Sequence, residues 1–101
     1  MPTNTPEYDR LWRIRRQALR MLCDEGYEVE EFRRETVGLD FLAHNGKQVR
    51  MIRVVSLTDT EPLDREKIKS EMFCIEIPET VSVELWVYSK DTGFVIESLR
   101  K

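Results

Sequence analysis

The stretch from Leu39 to Leu57, LDFLAHNGKQVRMIRVVSL, constrains the fold of this chain more than any other part of it. Two apolar segments flank Asn45-Gly46, the dipeptide that most strongly favours a tight turn between antiparallel strands. Both segments carry apolar residues at consecutive positions, as interior strands that are covered on both faces do. The stretch therefore predicts a hairpin inside a sheet, with a two-residue turn that pairs His44 with Lys47.

Hydrophobic periodicity predicts the remaining elements. Apolar residues recur at helical spacing from about Glu7 to Asp24, and Gly26 follows as a stop signal. Short apolar or alternating runs indicate strands, and a run of helix formers indicates a second helix. The predicted strands are Tyr27 to Phe32, Leu39 to His44, Gln48 to Leu57, Val81 to Tyr88 and Phe94 to Ser98, with the second helix from Pro62 to Phe73.

This order predicts an α/β fold, α-β-β-β-α-β-β, in which both helices pack on a mixed five-stranded sheet. The first three strands form an antiparallel meander, and the strand-helix-strand unit that follows favours a crossover to a parallel neighbour. Within the first strand, Glu30-Glu31 breaks the alternation and indicates a bulge. We expect a disordered tail over residues 1–6, with its two prolines, and one domain over residues 7–101.

Composition limits the class of protein. A chain of 101 residues suits one domain, and 41% hydrophobic with 35% charged residues is typical of soluble globular proteins. No apolar run reaches the length of a membrane span, so we expect no membrane contact. Cys23 and Cys74 lack a metal-ligand spacing, which favours reduced, buried thiols in a cytoplasmic protein.

The net charge of -3 argues against a nonspecific nucleic-acid coat, yet the first helix is basic. Arg13, Arg16 and Arg20 recur at helical spacing and form a candidate phosphate-binding face. A face of this kind is otherwise only solvated or paired with nearby acids. The aromatic residues that could stack on bases, or alternatively pack in a core, are Trp12, Trp86 and Tyr88.

Four short motifs carry a resemblance to a known superfamily. They are Glu25-Gly26-Tyr27 after the first helix, Gly38-Leu39-Asp40-Phe41, the Asn45-Gly46-Lys47 turn, and the run Met51-Ile52-Arg53-Val54-Val55-Ser56. With this order of elements, the chain resembles the restriction-endonuclease-like (PD-(D/E)xK) nucleases, and among them the small archaeal Holliday-junction-resolvase-like proteins. The resemblance implies the core fold of that superfamily over roughly residues 11–99.

The resemblance also implies a degenerate active site. Such nucleases carry an aspartate on the second strand, and an acid, an apolar residue and a lysine on the third, which together hold magnesium for phosphodiester cleavage. Asp40 matches the aspartate, but Arg53 replaces the acid, Val55 replaces the lysine, and Arg15 stands near a further family glutamate. An arginine donates hydrogen bonds but cannot ligate magnesium. We therefore expect no catalytic residue, cofactor or metal site at these positions.

Three functions stay open at this point. The first is a catalytically inactive nuclease fold that serves as a binding or assembly module, with DNA or a protein as partner. The second is a magnesium-dependent DNA endonuclease with migrated ligands, in which Glu35 and Asp40 act with Arg53 in the cationic role. The third is a structural interaction domain with no nucleic-acid role. An exposed edge strand and several large aromatic residues also favour a homodimer.

The lone acid of the hairpin needs a cationic partner. In the predicted register Asp40 lies opposite Met51, and Arg53 is its diagonal neighbour on the same face. Arg15 borders the apolar stripe of the first helix and could reach the same place. We therefore predict an ion-pair cluster in which Asp40 is held by Arg53 first and Arg15 second. In the alternative, Arg53 extends to solvent and Asp40 caps a turn.

Overall fold

Two helices and five strands make up the protein. The structure is a computed structural model that describes residues 6–33, 38–57 and 62–100. The elements are α1 (Pro6–Asp24), β1 (Glu28–Glu31), β2 (Phe41–His44), β3 (Val49–Ser56), α2 (Arg65–Met72), β4 (Ser82–Ser89) and β5 (Gly93–Ser98). This confirms the predicted order α-β-β-β-α-β-β. The predicted N-terminal tail lies outside the described residues except for Pro6, which begins α1.

The five strands form one sheet whose spatial order, β1-β2-β3-β4-β5, is the order of the chain. The first three strands are antiparallel, β3 is parallel to β4, and β4 is antiparallel to β5. Helix α2 lies in the connection between the parallel strands, as such a connection requires. The antiparallel meander and the parallel crossover are therefore both confirmed.

The predicted register of the β2–β3 hairpin is wrong by two residues. His44 pairs with Val49, not Lys47, and the Asn45 amide donates to the Gln48 carbonyl at 3.2 Å. The Asn45 side chain explains the wider loop, because its Oδ1 accepts hydrogen bonds from the Lys47 and Gln48 amides at 3.0 and 2.8 Å. A shift of two residues keeps every side chain on its predicted face.

Strand β1 has no bulge. Its pairing with β2 runs without interruption from Glu28 opposite His44 to Glu31 opposite Phe41, so the bulge predicted at Glu30-Glu31 is wrong. Both glutamates are exposed on this outer strand. Their acidity therefore reflects contact with water on both sides of the strand, and no change in the ladder is needed to explain it.

The two cysteines are unpaired but not buried. Cys23 and Cys74 are both free and exposed, so the predicted burial is wrong. Cys23 follows the buried Leu22 on α1 and points away from the sheet, whereas Cys74 lies in the segment just after α2. Cys23 is off the apolar stripe of α1 and Cys74 lies outside any helix or strand, which is why both stay accessible.

The sheet is covered on both faces. Three buried residues of α1, Ile14, Ala18 and Leu22, pack against one face around Phe41 and Trp86. On the other face, Ile68 and Met72 of α2 pack with the apolar residues of β3 and β4, and Asp64 caps this helix by accepting the Lys67 amide. No helix in the described ranges is long and apolar enough to cross a membrane.

Candidate functional site

Asp40 lies at the point where the chain enters β2, and it is fully buried. Its amide donates to the Ile52 carbonyl at 2.8 Å, and its carbonyl accepts from the Phe32 amide at 2.9 Å. The side chain makes further contacts through both carboxylate oxygens. Oδ2 accepts the Val54 amide of β3 at 2.7 Å, and Oδ1 lies 3.1 Å from Nε of Arg15. The carboxylate thus joins α1 to the centre of the sheet.

Arg15 is the cation on α1 that reaches this carboxylate. It follows the buried Ile14, and its side chain is 28% exposed, so it crosses the border between the core and the surface. This is the position expected for a residue beside the apolar stripe of an amphipathic helix. Of the two arginines predicted near Asp40, the structure places Arg15 in contact with it.

Arg53 joins β3 to the opposite side of the molecule. It is buried, its Nη1 donates to the Gly38 carbonyl at 3.0 Å, and its Nη2 lies 3.0 Å from Oε1 of Glu71 on α2. The alternative in which Arg53 extends to solvent is therefore wrong. Gly38 lies so close to α2 that a Cβ atom there would be 2.3 Å from the Glu71 carbonyl oxygen. Arg53 thus fastens α2 to the segment that precedes Asp40.

The three positions of the nuclease pattern carry an acid, a cation and an apolar residue. Asp40 is bound by Arg15, Arg53 is a hydrogen-bond donor, and Val55 is buried beside α2. Neither a guanidinium nor a valine side chain can ligate a divalent cation. Within residues 6–33, 38–57 and 62–100, no three His, Cys, Asp or Glu side chains are grouped to hold a metal ion. Glu35, the proposed migrated ligand, lies outside the described residues.

The arginine face of α1, defined by Arg13, Arg16 and Arg20, is exposed to solvent. The Arg16 guanidinium lies 5.5 Å from the ring centre of Trp12, whose exposed fraction is 55%. Trp12 and the arginine face, together with Gln17 and Leu19, line a shallow groove of about 400 Å³. In the part of the chain that the structure describes, no carboxylate forms an ion pair with the arginine face. The groove thus presents cations beside an accessible aromatic ring.

Only Trp12, of the three aromatic residues considered for base stacking, is open to solvent. Trp86 is 1% exposed, and its indole N–H donates to Glu84 at 3.0 Å. Tyr88 is half-buried against Phe94, with ring centres 5.2 Å apart in an edge-to-face arrangement. Trp86 and Tyr88 are therefore core residues, and a stacking role is left to Trp12.

A largely buried ion pair between Arg50 and Glu84 was not expected from the sequence. Nε and Nη2 of Arg50 donate to the two Glu84 carboxylate oxygens at 2.9 and 2.7 Å, and the Glu84 hydrogen bond raises the pKa of Arg50. The guanidinium also lies 5.0 Å from the ring centre of Tyr27 and 5.7 Å from that of Trp86. The only signal in the sequence is a lone acid within the apolar run SVELWVY.

Comparison with protein families and with curated protein sequences identifies no relative. No protein-family model matches the chain, and no curated protein is significantly similar to it in sequence. The likeness to restriction-endonuclease-like proteins therefore depends on the short motifs and on the α/β order alone. The conclusion that the geometry supports directly is a small α/β domain with a buried acid held by arginine and a basic, aromatic surface on α1.

Proposed function

We propose that this protein is a non-catalytic binding module with a restriction-endonuclease-like fold, and that it binds single-stranded nucleic acid. The contact between Arg15 and Asp40 carries the proposal. It gives the carboxylate at the family position a permanent positive neighbour from the protein itself. A guanidinium there does the charge-balancing work of a metal ion without supplying a reactive water.

Both oxygens of the Asp40 carboxylate are already in contact with groups of the protein, which supports the absence of catalysis from this site. One oxygen faces the Arg15 guanidinium and the other accepts the Val54 amide. Magnesium binds in near-ideal octahedral geometry to anionic oxygens and water, so it would have to displace both the guanidinium and the amide. Arg53, at the position of the family acid, would repel the ion as well. The pocket is built to hold an acid in place, and it works as a structural clamp.

The groove on α1 supports the choice of ligand. Three exposed guanidiniums spaced along one helix can contact successive phosphates of a flexible strand. Trp12 stands beside them with more than half of its surface open, and every base has a face that can stack on an indole. A rigid duplex would present phosphates but no accessible base faces. The combination of cations with one aromatic ring therefore favours a single strand.

We expect a fluorescein-labelled single-stranded oligonucleotide to bind the protein with an affinity that falls as salt rises. Three phosphate contacts give a slope of about -2 in log K against log salt, from about -0.7 for each contact. Trp12→Ala should weaken binding by about 5- to 150-fold, the worth of one stacked base. Replacing Arg13, Arg16 and Arg20 together by glutamine should remove most of the affinity and of the salt slope. Fluorescence anisotropy measures all three.

A triple variant with the same change in net charge separates the effect of these contacts from the effect of charge alone. Lys47, Lys67 and Lys90 are exposed and lie outside α1, so their joint replacement by glutamine changes the net charge equally without altering the arginine face. That control should keep most of the affinity. Equal losses in the two triple variants would contradict the assignment of the surface, and no binding by the wild type would favour the structural interaction domain.

The nuclease alternative is tested with the same protein. We expect no cleavage of plasmid or junction DNA when magnesium or manganese is added. Metal-dependent cleavage that is abolished by Asp40→Ala would overturn the proposal and support an endonuclease with migrated ligands. Cleavage that survives Asp40→Ala would not depend on the Asp40 carboxylate and would indicate a contaminating nuclease.

A further inference from the structure

The two outer strands of the sheet differ in how they are protected from other strands. On β1, three glutamates, Glu28, Glu30 and Glu31, are exposed, and carboxylates on an edge discourage pairing with a further strand. On β5, Val95 and Ile96 are 49% and 46% exposed. Among the described residues, β5 has a strand neighbour on one side only. The apolar edge of the sheet is therefore the one open to pairing.

The hydrogen-bonding groups of β5 that remain free can be identified from its pairing with β4. The Leu99 amide donates to the Val83 carbonyl at 2.9 Å, so these opposed residues form a hydrogen-bonded pair. Such pairs recur at every second residue of an antiparallel ladder. The backbone groups of Phe94, Ile96 and Ser98 consequently point away from β4, toward the outside of the sheet.

We propose that β5 pairs with β5 of a second copy of this chain, antiparallel, across a two-fold axis at Ile96. Only outward-pointing residues can form the hydrogen-bonded pairs, which restricts the possible registers. Centring the pair on Ile96 sets it opposite the partner's Ile96, and sets Phe94 opposite the partner's Ser98. This register uses all three outward-pointing residues of both strands. The result is a continuous sheet through two molecules.

Charge and apolar contacts favour a second copy as the occupant. In this register Val95 lies opposite the partner's Glu97, whereas a register moved by one step toward the C-terminus would set Glu97 against the partner's Glu97. In the proposed register no carboxylate of β5 lies opposite another carboxylate, and Ile96 packs against the partner's Ile96. The strand is therefore compatible with a second copy of itself when antiparallel, because like charges are not opposed and apolar side chains meet at the axis.

The symmetry has a consequence for the rest of the molecule. Ile96 of both copies lies on the face of the sheet where Trp86 meets α1, so the axis is perpendicular to the sheet. Both α1 helices then lie on the same side of the joined sheet. The pairing itself depends only on β5 and holds whether or not α1 binds nucleic acid.

Light scattering after gel filtration tests the pairing. The wild-type chain should give twice its mass of 12.0 kDa at micromolar concentrations. Ile96→Lys places two cations at the axis and should weaken the dimer by at least about tenfold, with an unchanged circular dichroism spectrum. Glu30→Lys places a lysine on the opposite edge strand, β1, and should leave the dimer intact. A wild type that stays monomeric, or a dimer that Ile96→Lys does not weaken, would overturn the proposal.

Cross-linking tests the register independently. With Cys23 and Cys74 changed to serine, Ile96→Cys should be joined rapidly by a short thiol-to-thiol reagent, because opposed Cα atoms in such a pair lie about 5.5 Å apart. Glu97→Cys is the control, since it lies opposite the partner's Val95 and should react much more slowly. Faster cross-linking of the Glu97→Cys protein would exclude the Ile96 axis.

Discussion

Replacing Asp40 with alanine is expected to lower the free energy of unfolding by about 3 to 5 kcal/mol, the usual cost of breaking a buried ion pair. The carboxylate is fully buried, lies 3.1 Å from Arg15 and accepts the Val54 amide at 2.7 Å. Its removal leaves the Arg15 charge without this partner and takes away a carboxylate acceptor of the buried Val54 amide. Urea unfolding followed by circular dichroism measures the change.

A surface acid and a double-mutant cycle make this prediction specific. Glu79 is exposed, and Glu79→Ala should change the free energy of unfolding by no more than about 0.5 kcal/mol. Arg15→Met should also destabilise the protein strongly, and adding it to Asp40→Ala should cost much less than the sum of the two single changes. Additive effects would show that Arg15 and Asp40 contribute separately. A loss below about 1 kcal/mol for Asp40→Ala would contradict a structural clamp.

Replacing Arg50 with methionine should cost a similar amount, about 3 to 5 kcal/mol, because it leaves the Glu84 carboxylate without its guanidinium. The side chains of both partners are only 11% exposed, and the pair is held by two hydrogen bonds. Methionine keeps much of the apolar contact with Tyr27 and Trp86, so the loss reports the charge. Thermal and urea unfolding should both detect it.

The chain contains a matched control for the Arg50 variant. Arg65 donates to both Glu97 oxygens with the same two nitrogens, at 3.1 and 2.7 Å, but its side chain is 52% exposed. Arg65→Met should therefore cost less than about 1 kcal/mol. The hydrogen bond with Arg65 lowers the pKa of Glu97, so this small contribution is present at neutral pH and is lost as pH falls through that lowered pKa. Equal costs for the two arginines would contradict the argument from burial.

The sequence predicts the helices and strands of this fold because the spacing of apolar residues within each segment indicates its type. The apolar spacing of α1 and the consecutive apolar residues of β3 are local features, and they locate both elements correctly. The predicted register of the hairpin was wrong because the Asn45 side chain competes with the backbone for the turn amides. Asn45-Gly46 signals a reversal of the chain, but it does not fix the number of residues in the loop.

Of the contacts at the candidate site, some could be predicted from the sequence and others could not. Arg15 could be anticipated beside Asp40 because its position on the helix is fixed by the apolar stripe. The pair of Arg50 and Glu84 could not, because it depends on the register of two parallel strands joined by a long connection. The contact that required only the position of Arg15 on its helix was predictable, whereas the contact that required the register of two strands distant in sequence was not.

The agreement between spatial order and chain order has a consequence for how the molecule folds. Three of the four strand pairings close short segments, of residues 32–40, 45–48 and 90–92. The fourth, between β3 and β4, must close residues 57–81, and the entropy lost on closure grows with the logarithm of length. Chain entropy therefore divides the sheet into two units of local contacts, β1 to β3 and β4 with β5. Their docking along β3 and β4, with α2 laid across the join, is the step at which the topology opposes folding most.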